Sequence, residues 1–357
     1  MTRILLVSDT HGKLSPINRL ALENGCEAVI HAGDFGFSDD GSLGRLSDRE
    51  VALHIWHSDL NPERKKEILA QPLAEQMEFV RRLLPLSELP EFLRGEKRFG
   101  VPVYAVWGNH EDVEVIRRFR YGDYAVDQLH LLHENVSFHL GNIHVFGLGG
   151  NFLVGKKLWQ TPIAGSRGKV WSVLPQYARL LETVQANQQQ DEIRVFVSHV
   201  SPGKEPFVTL IGAQTGCSLI VSGHMDPSLP MIWNEFAIRE PQEAVARLEG
   251  RLREIEATFA ALDDTARQAM ETDWARVQAI PTGTVYVGRR HHVPEWFIRM
   301  LNLNLPDAAV GHAIMETRGT RFHIYPSSGH DNLPMPLQGE GDGIQGSQIN
   351  EVFGENI

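Results

Sequence analysis

The chain has 357 residues, room for one large domain or two modest ones, with 42% apolar and 22% charged side chains, as in ordinary globular proteins. It has no apolar run near the roughly 18–20 residues that span a bilayer, and no secretory pattern ahead of its first strand. A formal net charge of −11 argues against bulk binding to nucleic-acid phosphates, yet leaves room for an anionic substrate if divalent ions reverse the local field. With only two cysteines, Cys26 and Cys217, a disulfide framework is excluded and a cytoplasmic setting is expected.

The run from Arg3 to Ser8 is nearly all apolar, which predicts a strand buried on both faces. A helix from Ser15 to Glu23 and a strand from Glu27 to His31 follow, together the length of a right-handed parallel crossover. Residues 46–99 read as an inserted helical segment, including Glu63–Leu69 and Gln76–Leu84, with His54 and His57 as surface side chains beside Trp56. Further strands are predicted at 101–107, 143–148, 193–198 and 217–222. Val245, Leu248, Leu252, Ile255, Phe259 and Leu262 alternate at intervals of three and four. Asp263 and Asp264 can then cap a second helix, giving a helical hairpin over 241–280. It could pack on its own domain, serve as a homodimerisation arm, or cover an active site. Two strand-like runs, PDAAVGHAIMET and RFHIYP, meet at a turn around Gly319. A tail rich in Gly, Asn, Ser and Gln occupies 327–357.

Five of the apolar runs end in metal-binding side chains: Asp9 and His11, Asp34, Asn109 and His110, His199, and finally His224 and Asp226. Each taken alone reads as a cap, a turn or a strand-end histidine. Five in order predict a metal site assembled from distant segments. Carboxylate, imidazole and amide oxygen together suit hard or borderline divalent ions, and the C-terminal ends of strands are where open α/β sheets bind ligands. Asp34 has two oxygens and can bridge two ions.

In these motifs, D-T-H at 9–11, G-D at 33–34, G-N-H-E at 108–111, S-H at 198–199 and G-H-M-D at 223–226, the chain resembles the calcineurin-like metallophosphoesterase superfamily. The resemblance spans roughly residues 3–226. It implies an α/β (α+β) fold, a four-layer β-sandwich flanked by helices, with residues 1–240 as the core and 281–326 as its closing strands. It also implies two divalent ions, with Mn²⁺ favoured and Fe, Zn or Ni as alternatives. Asp9, His11 and the residue at 226 would hold one ion, Asn109, His199 and His224 the other, and Asp34 would bridge. The superfamily usually has His where this chain has Asp226: a coordinating Asp226, the favoured alternative, makes the first position harder and more anionic, whereas an Asp226 that points away leaves that ion to Asp9, His11, Asp34 and water. The implied chemistry is hydrolysis of phosphate esters by metal-activated hydroxide. His110 would stabilise charge or protonate the leaving oxygen, oriented by Asp34 or Asp112.

The acid-free stretch 152–171, which carries Lys156, Lys157, Arg167 and Lys169 around Trp159 and Trp171, reads either as a set of substrate contacts or as a solvated loop with Trp anchored in the core. Arg117, Arg118 and Arg120 after the G-N-H-E motif read as phosphate contacts or as an ordinary helix surface. Together with a loose likeness to lariat-debranching enzymes, they favour a phosphodiester or nucleotide-type substrate. A phosphomonoesterase or serine/threonine protein phosphatase is the alternative. A catalytically inactive metal-binding scaffold is the alternative of another class.

Overall fold

The computed structural model describes residues 2–160, 163–225, 227–287, 291–328 and 337–340. The first apolar run forms β1 (Thr2–Val7), in which Ile4 to Val7 are fully buried. Pro16 starts α1 (Ser15–Glu23), whose first turn is held by the Glu88 carboxylate through Leu14 N, Ser15 N and Ser15 Oγ. β2 (Ala28–Ala32) then lies parallel to β1, as the crossover length predicts.

The insertion folds as α2 (Asp48–Trp56), α3 (Pro62–Leu69), α4 (Leu73–Leu83) and α5 (Leu89–Leu93). Its apolar faces meet one another: Leu43, Val51, Ile55, Ile68 and Val80 form a small core separate from the main one. The chain re-enters the main body as β3 (Val103–Val106), α6 (Val113–Tyr121), β4 (Leu129–Leu131), β5 (Phe138–Leu140) and β6 (Ile143–Leu148). β7 (Asn151–Phe152), β8 (Ala164–Ser166) and β9 (Lys169–Ser172) make a small sheet of their own. After it come α7 (Leu174–Asn187), β10 (Ile193–Ser198), α8 (Pro206–Thr215), β11 (Leu219–Ser222), β12 (Met231–Trp233) and α9 (Glu235–Ile238).

The predicted helical hairpin is α10 (Pro241–Ala260) and α11 (Asp264–Val277), the latter capped by the Asp263 carboxylate on Ala266 N. The hairpin packs on its own domain, α10 against α8 and α11 against α7. Leu248 and Ile255 of the seam are buried there, with Trp274 and Val277 from the second helix. Ile255→Ala is therefore expected to lower the unfolding free energy by roughly 2–5 kcal/mol in a denaturant titration. The exposed neighbour Glu256→Ala should leave it unchanged.

β13 (Thr284–Val287) and β14 (His291–Pro294) form a short ribbon, followed by α12 (Glu295–Arg299), β15 (Leu301–Asn304), β16 (Gly311–Arg318), β17 (Arg321–Ser328) and β18 (Leu337–Glu340). β16 and β17 turn at Gly319, where φ is +58°. The remainder of the polar tail lies outside the described residues.

Two sheets carry the architecture. One has the order β18-β17-β16-β1-β2-β3-β4, the other β12-β15-β11-β10-β6-β5. Strands β1 to β4 run parallel, and the late hairpin β16–β17 joins the first sheet antiparallel beside β1. In the second sheet β6, β10, β11 and β15 are parallel, while β5 and β12 close the edges antiparallel. The sheets face each other so closely that a Cβ at Gly147 in β6 would come 2.8 Å from Val106 Cγ1 in β3. α1 covers β1 and β2, and α7 and α8 cover β6 and β10, giving helix, sheet, sheet, helix. The parallel strands of both sheets end on the same side, where the polar side chains gather. Among the described residues no helix is long and apolar enough to cross a membrane.

Candidate metal centre

The loop after β1 runs beside the loop after β2. Asp9 N donates to Gly33 O at 2.9 Å, His11 N to Asp34 O at 2.8 Å and Gly12 N to Phe35 O at 3.1 Å. This zipper puts Asp9 and Asp34 side by side. From the second sheet, His224 N donates to Asp9 Oδ2 at 3.3 Å, and the His199 ring lies over the first sheet with Nδ1 donating to Ala32 O at 2.9 Å. Ligand atoms of Asp9, Asp34 and His199 all lie within 4.8 Å of one another.

Glycines permit this closeness. A Cβ at Gly108 would sit 1.8 Å from Asp34 Oδ1, and one at Gly223 would sit 2.4 Å from Asp9 Oδ2. The backbone is bent as well: Asp9, His11, Asp34 and His224 all have φ between +45° and +63°. Non-glycine residues rarely adopt that region, and such strain clusters where function holds it in place.

Asp34 is 3% exposed and stands at the centre. Its Oδ1 accepts His110 N at 3.0 Å and lies 3.7 Å from His199 Nε2, while its Oδ2 lies 4.0 Å from His11 Nδ1. Asn109 Oδ1 is 2.8 Å from His199 Nε2, and the His199 and His224 rings are 5.0 Å apart between centroids. Seven of the eight residues singled out from the strand ends therefore converge. Asp226 lies outside the described residues.

The electrostatics fit cations. Burial, then the charge of Asp34, push the Asp9 carboxyl up to about 7. Burial would raise Asp34 too, but the neighbouring His199, His11 and His110 hold it at about 2. Burial lowers His199, and burial followed by His199 brings His224 down to about 4, both shifts toward the neutral imidazole that can ligate a metal. With Nδ1–H given to Ala32 O, His199 turns a lone pair from Nε2 toward the Asn109 oxygen, itself an acceptor. Two acceptors facing at 2.8 Å beside two buried carboxylates form a donor set that divalent ions would satisfy.

The chain belongs to the calcineurin-like phosphoesterase family. The family model matches residues 2–226, well over half of the sequence. Membership makes the protein a metal-dependent phosphoric ester hydrolase, of a family whose centre takes two divalent ions. No curated relative matches the chain in sequence. One solved chain aligns at 12% identity over 91% of this chain and 98% of its own, with a TM-score of 0.46. A dimetal phosphatase from Danio rerio aligns at 9% identity over 95% and 98%, with a TM-score of 0.41. A Vps29 mutant from Entamoeba histolytica aligns at 11% identity over 95% and 99%, with a TM-score of 0.28.

Around this phosphoesterase centre the structure corrects several expectations. The carboxylate on His110 is neither Asp34 nor Asp112 but Glu50, whose Oε2 is 2.8 Å from His110 Nδ1. Asp112 is occupied elsewhere, accepting from Ser42 Oγ and Arg45 Nε at 2.6 Å each and from Glu114 N at 3.0 Å. Trp159 does not face the substrate side. It is buried, donates Nε1 to Thr258 Oγ1 at 2.8 Å and packs on Phe259, anchoring the helical hairpin. Arg118 pairs with Asp39 and Glu114, and Arg120 with buried Glu134, leaving Arg117 as the exposed member of that trio. Lys156 and Lys157 are exposed, and Arg167 pairs with Asp48 at 3.7 Å.

Four neighbours are given no role by the sequence reading, although Glu111 closes the G-N-H-E motif. His57, read as a surface side chain, stacks 6.5 Å from His11. Lys204 Nζ lies 2.8 Å from His224 Nε2. Buried Glu111 takes backbone N–H groups from Gly36, Phe37 and Gly108 and so shapes the loops rather than the reaction. His31, fully buried and bonded to Thr10 Oγ1 at 3.0 Å, supports the same loops from below. A second group, His139, His144 and Glu192, sits at the opposite strand ends, where Glu192 is satisfied by both rings, Arg194 Nε and Gln189 N.

Proposed function

We propose that this centre hydrolyses phosphodiester or nucleotide-type substrates, with Mn²⁺ as the working metal, in a cytoplasmic setting consistent with two free, buried cysteines. The observation that carries the substrate class is the hairpin β8–β9. Val170 N donates to Asn109 O at 3.1 Å, which ties β9 to the loop carrying Asn109 and His110. On the same strand Lys169 offers an ammonium, and Trp171 carries Lys157 4.4 Å over its ring. Indole and ammonium groups beside a phosphate-ester centre suit a base or other planar group on the far side of a phosphate.

In this reading Asp9 and His11, with Asp226, would hold one ion, Asn109, His199 and His224 would hold the other, and Asp34 would serve both. The bound ions would neutralise phosphate oxygens and lower the pKa of a water. The chain's own residues do the rest. Burial disfavours the charged His110 ring, but the bonded Glu50 and the charge of Asp34 outweigh it and raise its pKa. The ring is thereby a proton donor suited to a leaving oxygen. Lys204, 2.8 Å from His224 Nε2, and Lys169, 3.7 Å from Glu50 Oε1, would offer cations to the substrate's remaining charge.

Metal-stripped protein resupplied with Mn²⁺ and offered bis-(p-nitrophenyl) phosphate beside p-nitrophenyl phosphate tests the assignment. Metal-dependent diester turnover is expected. Preference for the monoester would reject the diester reading, and metal binding with no turnover of either would favour a scaffold. In the same assay His110→Ala should lower kcat by roughly 100- to 10,000-fold while bound metal stays at the parent level. Loss of metal in that variant would overturn the role given to His110.

A further inference from the structure

We propose that Glu50, supplied by the helical insertion, is the positioning residue for His110, so that the insertion completes the catalytic centre instead of merely shaping its entrance. Turnover by His110 rests on the function proposed above; the Glu50–His110 pairing itself does not.

The local sequence directs Glu50 elsewhere. Ser47-Asp48-Arg49-Glu50 is a capping-box pattern, in which the N-cap hydroxyl takes the N–H of the fourth residue and that residue's carboxylate returns to the N-cap N–H. Half of it forms: Ser47 Oγ accepts Glu50 N at 3.3 Å. The return bond does not form, because Ser47 N donates to Arg167 O at 3.1 Å, in the turn of the β8–β9 hairpin. That turn takes over the cap's N–H and frees the Glu50 carboxylate to point at the centre.

The same turn fixes the side chain. A Cβ at Gly168 would lie 2.6 Å from Leu46 Cδ2 and 3.0 Å from Glu50 Cγ, so the hairpin packs directly on the Glu50 stem. Lys169 Nζ stands 3.7 Å from Oε1. Glu50 is 6% exposed, and its Oε2 is 2.8 Å from His110 Nδ1. Oε1 is buried and makes no hydrogen bond of its own. A buried carboxylate with one committed oxygen holds the imidazole in one orientation, with Nδ1–H given to Glu50 and the Nε2–H of the protonated ring left for the leaving oxygen. Neither Asp34 nor Asp112 can replace it: Asp34 takes the His110 backbone N–H, and Asp112 is held by Ser42 and Arg45. Insertion, hairpin and metal loop thus meet at a single side chain.

The test compares parent, Glu50→Gln and Glu50→Ala. In the metal-free proteins, imidazole ¹⁵N–¹H spectra should show a downfield Nδ1–H signal, assigned to His110 by its absence in His110→Ala. That signal should be lost in Glu50→Ala. In the Mn²⁺-loaded proteins, Glu50→Gln should lower kcat roughly 10- to 100-fold, the usual cost of losing such a partner, with KM and metal content unmoved. The loss should be greater for a phenyl ester than for a p-nitrophenyl ester, because the poorer leaving group depends more on its proton donor. A merely structural role would reduce both esters alike, and that result overturns the proposal. So does an unchanged His110 signal in Glu50→Ala. If the parent itself turns over no ester, the phosphoesterase assignment fails, and the spectra still decide for or against the pairing.

Discussion

Asp34→Asn is expected to cost the protein its bound metal and at least roughly 100-fold in turnover, beyond the usual cost of removing an outer partner of a metal ligand. The reason is position. Among the described residues, Asp34 is the carboxylate that pairs with both histidine groups, His11 at 4.0 Å from one oxygen and His199 at 3.7 Å from the other. Neutralising it removes the negative charge common to both proposed ion positions. The fold should survive. Asparagine keeps an oxygen for His110 N, and the change relieves a repulsion, since Asp34 is second only to burial in pushing Asp9 and Glu111 up. Equilibrium dialysis with Mn²⁺ and a thermal melt of the metal-free protein separate the two effects. Parent-like metal binding in this variant would rule out a bridging role for Asp34.

Gly108→Ala should act differently, lowering both stability and metal binding. The added Cβ would meet Asp34 Oδ1 at 1.8 Å and Asp34 N at 2.1 Å. One of these atoms is backbone and the other belongs to a side chain pinned from three sides, so neither can step aside cheaply. Overpacking of this kind costs roughly 1–3 kcal/mol. Here the displacement falls on the central carboxylate itself. Gly44→Ala, where an added Cβ meets nothing within 4 Å, is the control and should behave as the parent. A Gly108→Ala protein that melts and binds metal like the parent would show that the tight approach of the two loops is dispensable.

Gly108 also shows what kind of information local sequence carries. Glycine precedes Asp34, Asn109 and His224, and at 108 and 223 the reason is visible as contact with Asp34 and Asp9. The pattern of apolar strand, glycine and polar side chain is readable in a linear sequence because strand burial and close backbone approach are both local demands. The seam of α10 is legible for the same reason, being a periodicity within one helix. Which surface buries that seam is not, and the structure assigns it to α8. Trp159 looked like a recognition group in a basic stretch, yet its indole pairs with Thr258, 99 residues away. The short strands β4, β5, β12 and β15 left little trace, since three or four residues are too few to display a period.

By itself, then, the sequence determined the buried strands, the polar side chains at their ends and the helical character of the two added segments. Hydrophobic alternation, caps and glycines each act within a few residues. Only the tertiary structure decided the partners of those side chains. Glu50 is the clearest case. Its capping-box context called for a bond to Ser47, three residues away. Packing of the β8–β9 hairpin took that bond for Arg167 and turned the carboxylate to His110, 60 residues along the chain. A contact of that span leaves no mark on local sequence, because it depends on two segments being brought together by a core that neither of them encodes.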